Sequence, residues 1–357
     1  MDVYSSLGVK PVINAVGTVT RLGGSLMPPE VLRAMADASE RYVDLNELHV
    51  AAGKRLAEVI GAEAAHVSSG AAGGLTLAAA ACIAGSNPEK IRQLPDGEGL
   101  KTEVVIQRSH RTAWEQALRV AGARMVEVDP TPEALRAGIG PRTAAVMFFM
   151  AYSKIDSVSL PEAVRIAHDA GVRIIVDAAA ELPPRSNLTA FLATGADLVI
   201  FSGGKGMRGP QSSGLILGRR ELVEACRLNG NPNAGVGRPM KVGKEEIVGL
   251  VAAVERFVRL DDEAERRRWE AQVDHVVEVL YGLPGVKVER VLDRTGYIPV
   301  ARVASDRTPA RAIAEQLRNG TPRIEVSASE EGVTVNPHML TPGDEKTIAR
   351  RLREILR

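Results

Sequence analysis

Residues 198–218 read LVIFSGGKGMRGPQSSGLILG. Two short apolar runs flank a loop of glycine, serine and proline that holds one lysine, Lys205. A run such as LVIF, apolar on both faces, suits a strand in a parallel sheet covered by helices on each side. The surrounding sequence repeats the pattern. Strands are expected at Glu103–Ile106, Met125–Val128, Ala144–Phe149, Arg173–Asp177, Leu198–Ser202 and Gly214–Leu217, with helical segments such as Ala113–Ala121 and Leu160–Ala170 between them. Alternation of this kind specifies an α/β doubly wound layout.

Toward the N terminus, Val12–Gly24 lacks a helical period and reads as an extended arm. Pro28-Pro29 opens a helix with Val31, Leu32, Met35 and Ala38 as its apolar stripe. A second helix runs from Leu45 to Ile60 and stops at Gly61. Toward the C terminus, Ile247, Leu250, Val251, Val254 and Val258 form a helical stripe. The charged run at Asp261–Glu270 reads as a solvated helix face, with Trp269, Val273 and Leu280 on its buried side. Beyond it, strands at Val286–Val291, Pro299–Val303, Arg323–Val326 and Val333–Val335 and helices at Thr308–Arg318 and Gly343–Leu356 make a compact α+β unit. The expected organisation is an arm (1–27), a large domain (28–260) and a small α+β domain (261–357).

Composition narrows the function class. The 45 basic and 44 acidic side chains nearly cancel, giving a net charge of +1 and no basic footprint for nucleic acid or anionic membrane. The most apolar run, Gly73–Gly85, is too short to span a bilayer. The N terminus lacks the basic-then-apolar pattern of a signal peptide. Cys82 and Cys226 both sit in apolar helical patterns and read as reduced core residues. The expectation is a cytoplasmic protein.

Three local features carry chemistry together. Ser68-Ser69-Gly70-Ala71-Ala72-Gly73-Gly74 lies directly before an apolar helix, where small residues and the helix N terminus favour an anion such as a phosphate. It matches neither the dinucleotide fingerprint nor a P-loop. Asp177 ends the strand RIIVD, and ligands of open α/β sheets bind outside the carboxyl ends of strands. A carboxylate there can hold a pyridine nitrogen protonated. Lys205 follows 28 positions later (205 − 177), one strand further on, in a loop able to lower the pKa of its amine. Taken singly, the three read as a turn, a capping aspartate and a surface lysine. Their order and spacing put them on one sheet edge, as a phosphorylated, aldehyde-bearing pyridine requires.

The segment SGGKGMRGPQSSGLILGRREL resembles the lysine segment of the selenocysteine synthase (L-seryl-tRNA(Sec) selenium transferase) superfamily. It is most similar to the branch that includes D-glucosaminate-6-phosphate ammonia-lyase. KPVINAVGTVTRLGGS, AAHVSSGAAGGLTLAAAACIAG and VDAAAELPP resemble the same branch, and the likeness covers most of residues 8–260. The resemblance implies the aspartate-aminotransferase fold (fold type I) and pyridoxal 5'-phosphate held by Lys205 as a Schiff base. It implies Asp177 as partner of the pyridine nitrogen, Ser69, Gly70 and Ala71 near the phosphate, and His110 stacked on the ring. Ser202 is a further phosphate candidate. Arg21, Arg238 and Lys241 are candidate substrate cations, the last two in the subunit's own site or a neighbour's, and Arg323 could meet a carboxylate. No metal is expected.

The implied reaction is α,β-elimination on a small amino acid or amino-sugar acid, of ammonia-lyase type. The alternatives are a transferase acting on seryl-tRNA and racemase, aldolase or aminotransferase chemistry on the same cofactor. The synthase carries a tRNA-binding domain before the arm, whereas this chain begins within about ten residues of INAVGT. Its Gly203-Gly204-Lys205 also replaces the synthase-type Gly-Asp-Lys. With 3% aromatic residues as well, tRNA is not the expected partner. Fold type I sites are commonly completed by a second subunit, so at least a homodimer is expected.

Overall fold

The computed structural model describes residues 3–153 and 156–357. The chain forms two compact units, one spanning 27–259 and the other joining residues up to 26 with 260–357. The first strand, β1 (Val12–Ala15), belongs to the second of these.

The large unit is built on a seven-stranded sheet of β2 (Ala64–Ser68), β3 (Glu103–Gln107), β4 (Arg124–Val128), β5 (Thr143–Phe149), β6 (Arg173–Asp177), β7 (Leu198–Ser202) and β8 (Gly214–Gly218). Its order is β2-β8-β7-β6-β5-β3-β4. Strands β3 to β7 run parallel, and β8 runs antiparallel to both its neighbours. The apolar runs explain the centre: all seven residues of β5 are buried. Ala64–Ser68, which the sequence leaves as a short run after a helix, is the fully buried edge strand β2, paired with β8.

One sheet face is covered by the helix Gly70–Ala84, whose residues join Val104, Ile106, Met147, Phe149, Ile175, Ile200 and Ile216 in a single core. Eleven of its fifteen residues are buried, so an all-apolar sequence is what this position demands. Helices Leu160–Asp169 and Asn187–Ala193 also pack on the sheet, against β5 and β6 and against β7 respectively. The helix Leu45–Ile60 starts on the Asp44 side-chain cap and ends at Gly61, whose φ of +80° suits glycine. The helix Pro29–Ser39 differs from the expected stripe: Val31 is its one buried residue and Leu32 is exposed.

The small unit has a five-stranded sheet of order β1-β11-β12-β10-β9, with β9 (Val286–Leu292), β10 (Pro299–Ser305), β11 (Arg323–Ser329) and β12 (Gly332–Val335). Helices Asp262–Leu280, Ala310–Asn319 and Asp344–Leu356 contribute to its core. Trp269, Val273 and Leu280 lie on the buried side of the first. Residues 12–15 are therefore no free arm: they pair in parallel with β11, Val12 opposite Arg323 and Asn14 opposite Glu325. The separate arm drawn at 1–27 is redrawn as part of the small unit. Both cysteines are free thiols, Cys226 buried and Cys82 half-buried.

Candidate active site

The carboxyl ends of the central strands bring the large unit's core candidates to one sheet edge. Phe149 pairs in register with Asp177, and Asp177 with Ile200. Side chains alternate along a strand, so Asp177 shares a face with Ile175, and Ser202 with Ile200. Ile175 and Ile200 pack in the core that contains the helix Gly70–Ala84. Asp177 and Ser202 thus extend the very rows over which that helix begins.

The helix start is shaped for a ligand. Ser69 occupies its N-cap position, yet its side chain makes no capping bond. The first N–H groups of a long helix then lack the usual acceptor, which favours a phosphate there. Space is made by absent side chains. A Cβ on Gly73 would lie 2.5 Å from Ser69 Oγ, and one on Gly74 would lie 2.9 Å from Ile200 Cγ2. The start of β8 closes against the same turn, where a Cβ on Gly214 would lie 2.3 Å from the Gly70 carbonyl oxygen. Ser68 Oγ donates to that carbonyl at 3.0 Å.

Lys205 sits in the β7–β8 connection, folded tightly on itself. Gly203 N–H donates to the Ser213 carbonyl at 2.9 Å, and Gly209 N–H to the Gly203 carbonyl at 2.8 Å. Arg208 N–H donates to the Lys205 carbonyl at 2.9 Å. Arg208 is held at φ +56°, the one non-glycine residue with positive φ among the described residues. Such a conformation costs free energy and concentrates at functional loops. A Cβ on Gly204 would meet Gln211 Cα at 2.4 Å, so the residue before the lysine has to be glycine.

Asp177 accepts a hydrogen bond from Ala179 N–H at 2.8 Å. Burial pushes its carboxyl up to about 6, against the lowering effects of the Ala179 N–H and of Lys205, while Glu181 adds a raising effect. A buried carboxylate on this edge is ionised at a cost, and a protonated ring nitrogen opposite it would recover that cost.

His110 is fully buried at the end of β3. Its Nδ1 accepts from Phe149 N–H at 3.3 Å, and its ring meets the Phe148 ring edge-on at 4.6 Å. Burial lowers its pKa to about 4, so the ring is neutral. With Nδ1 accepting, Nε2 carries the proton. That Nε2 is buried with no hydrogen-bond partner among the described residues. An unsatisfied buried donor costs about 1–3 kcal/mol and marks a place where a ligand atom fits.

Arg238 and Lys241 are exposed. Arg238 donates to Asn231 Oδ1 at 3.3 Å. Their segment runs over the helix start: Met240 Sδ lies 3.9 Å from the Cβ position of Gly73. Arg21 and Arg323 belong to the small unit, where both bond to Glu325. Sequence reasoning missed Glu325, Arg318 and the buried Gln107, whose Oε1 accepts from Val158 N–H at 2.6 Å. Little in the sequence marks them: apart from Arg323, two residues from Glu325 on the same strand, their partners lie on other elements. Among the described residues no cluster of three or more metal-ligating side chains occurs, and no helix is long and apolar enough to cross a membrane.

The uncapped helix start, the orphaned His110 Nε2 and the glycine cradle around Lys205 fit pyridoxal 5'-phosphate. Ser69, Gly70, Ala71 and Ser202 would hold its phosphate end, Asp177 its ring nitrogen and Lys205 its aldehyde carbon.

Comparison with known proteins identifies the family and the fold. A family model described as L-seryl-tRNA selenium transferase (SelA) matches residues 12–270. A 5'-C-glycyluridine monooxygenase-decarboxylase from a Streptomyces species is 36% identical over 99% of this chain and 92% of its own. D-glucosaminate-6-phosphate ammonia lyase from Salmonella typhimurium is 32% identical over 99% of this chain and 98% of its own. A solved D-glucosaminate-6-phosphate ammonia-lyase superimposes with a TM-score of 0.86 at 31% identity, covering 100% of this chain and 98% of the other. Serine palmitoyltransferase from S. paucimobilis, solved with a pyridoxal-phosphate aldimine, superimposes with a TM-score of 0.63 at 15% identity, covering 96% of this chain and 87% of the other. The fold is that of the fold type I pyridoxal-phosphate enzymes.

Proposed function

We propose, from the premise that this chain belongs to the L-seryl-tRNA selenium transferase (SelA) family, that it is a pyridoxal-phosphate lyase acting on a small amino acid or amino-sugar acid. The observation that carries this reading is the convergence of Lys205, Asp177 and the uncapped helix start on one sheet edge. The bound cofactor supplies an electron sink for charge left when a bond at the substrate's α carbon breaks. The chain's own residues do the rest. Asp177, whose carboxyl burial pushes up to about 6, would keep the ring nitrogen protonated and be held ionised by that charge. Lys205 attaches the cofactor and, once displaced by the substrate amine, takes the α proton at Nζ. His110 presents a neutral ring and one N–H donor. The proton held at Lys205 Nζ would pass to the β-hydroxyl, which would leave as water, and addition of one water to the C=N bond of the released product would give a keto acid and ammonia.

Arg238 and Lys241 in the large unit, and Arg21 taken by itself in the small unit, are the candidate cations for a substrate's carboxylate or phosphate. Arg238 and Lys241 suit a role across a subunit boundary because both are exposed. The active form is at least a homodimer, and the compartment is the cytoplasm. A net charge of +1 supports a small-molecule substrate over tRNA.

A second reading is favoured by the 36% identical monooxygenase-decarboxylase: loss of the substrate carboxylate with consumption of dioxygen. A screen of amino acids and amino-sugar acids separates the two. Ammonia and keto acid without dioxygen uptake are expected. Carbon dioxide release with dioxygen uptake would replace the first reading by the second. Tight tRNA retention on filters at physiological salt would favour the transferase alternative.

A further inference from the structure

Three arginines of the small unit converge on one carboxylate. Glu325 lies on β11 with its side chain fully buried. Its Oε1 accepts from Arg323 at 2.7 Å and from Arg318 Nε at 3.1 Å, and its Oε2 accepts from Arg21 at 3.1 Å. The three arrive from different elements. Arg323 is two residues from Glu325 on the same strand and so on the same face. Arg318 ends the helix Ala310–Asn319. Arg21 lies in the short 3-10 turn Thr20–Leu22 that follows β1, and β1 is in register with β11.

One guanidinium is enough to neutralise one carboxylate. The cluster therefore holds two positive charges in excess, and none of the three arginines pairs with another carboxylate among the described residues. The arginine side chains are 55%, 44% and 39% exposed for Arg21, Arg318 and Arg323, so the excess charge faces solvent. Each guanidinium has five N–H donors, and Glu325 takes one from each. Arg323 Nε is also buried without a partner. Like charges held this close repel, and an incoming oxyanion relieves that repulsion while filling the unused donors in the bidentate geometry guanidinium favours.

We infer that Arg21, Arg318 and Arg323, positioned by Glu325, form a receptor for an oxyanion, a phosphate or carboxylate group. This goes beyond the candidate role of Arg21 alone by joining it to two further arginines and a buried carboxylate of the same unit. The binding needs neither Lys205 nor the cofactor.

The test is calorimetric titration of the full, cofactor-loaded chain with inorganic phosphate, and separately with acetate, at low ionic strength. One phosphate per chain is expected. Arg318→Ala should weaken it about 10-fold or more, and Arg318→Lys, which keeps the charge but loses the fork, several-fold. Lys205→Ala should leave the Arg318-dependent binding unchanged, which separates this site from the cofactor's cradle. Stronger binding of phosphate than acetate identifies a phosphate group as the ligand; the reverse identifies a carboxylate. Circular dichroism of both Arg318 variants verifies the fold. Absence of binding in the parent chain, or equal binding in the parent and both Arg318 variants, overturns the inference. So does phosphate binding lost in Lys205→Ala but kept in Arg318→Ala.

Discussion

At the residue scale, Asp177 is the sharpest probe besides the lysine. Asp177→Asn keeps the shape and the bond from Ala179 N–H but cannot stabilise a protonated ring nitrogen. Loss of one charge-assisted hydrogen bond, about 1.5–3 kcal/mol, is expected to cut turnover about 10- to 100-fold. Cofactor binding should persist, and steady-state kinetics with an absorbance spectrum reads both. The positions of Asp177 and Lys205 are legible in the sequence because each is announced locally, one by a strand end and one by a glycine loop. The partner of His110 was not: the histidine was placed correctly after a strand, but its anchor, Phe149 N–H, is 39 positions away on β5. Glu325 was illegible for a similar reason, since two of its three arginines lie on other elements.

At the scale of elements, the helix Gly70–Ala84 has to sit close over β7. A side chain at Gly74 would strike Ile200 Cγ2 and stand 3.0 Å from Ser68 Oγ. Gly74→Ala should lower stability by about 1–3 kcal/mol and weaken cofactor affinity by displacing the helix start. Gly140→Ala is the matched control, since its Cβ meets nothing within 4 Å and it should be neutral or slightly stabilising. Thermal unfolding and cofactor titration of the two variants give the comparison. The inner parallel strands β3, β5, β6 and β7 are readable because strands buried on both faces are largely apolar, whereas the edge strand β4 (RMVEV) has no buried residue. The edge strand β2 was not, because AAHVS carries two alanines and a histidine and has weak strand propensity. It is recruited by pairing with β8, about 150 positions later in the chain. Likewise, nothing in VINA reveals that its partner is β11, more than 300 positions away.

At the scale of the whole molecule, buried titratable groups set the response to pH. Burial lowers both His49 and His110 to about 4, with Arg227 adding to the effect on His49. Below pH 6.5 the unfolded chain takes up these protons while the folded chain does not until about 4. Each histidine therefore costs stability progressively between pH 6.5 and about 4, roughly 3 kcal/mol at the low end. Asp177 works the other way in the cofactor-free chain, disfavouring the fold as pH rises from 3.8 to about 6. Burial also lowers His66, which lies near His49, so with three histidines against one aspartate the cofactor-free chain should be less stable at pH 5 than at pH 7.5. His49→Gln should reduce the difference. Urea unfolding at the two pH values checks this, and equal midpoints would contradict it. Sedimentation should show at least a dimer, and an active monomer would remove the reason for giving Arg238 and Lys241 a role across subunits.

The central claim is that Lys205 carries the cofactor, and borohydride reduction tests it most directly. The purified chain should absorb at about 410–430 nm, lose that band on reduction, and yield one pyridoxyl-labelled peptide with the label on Lys205. Lys205→Ala should show neither the band nor the label. A reducible chromophore that survives in Lys205→Ala, or a label on another lysine, would contradict the account.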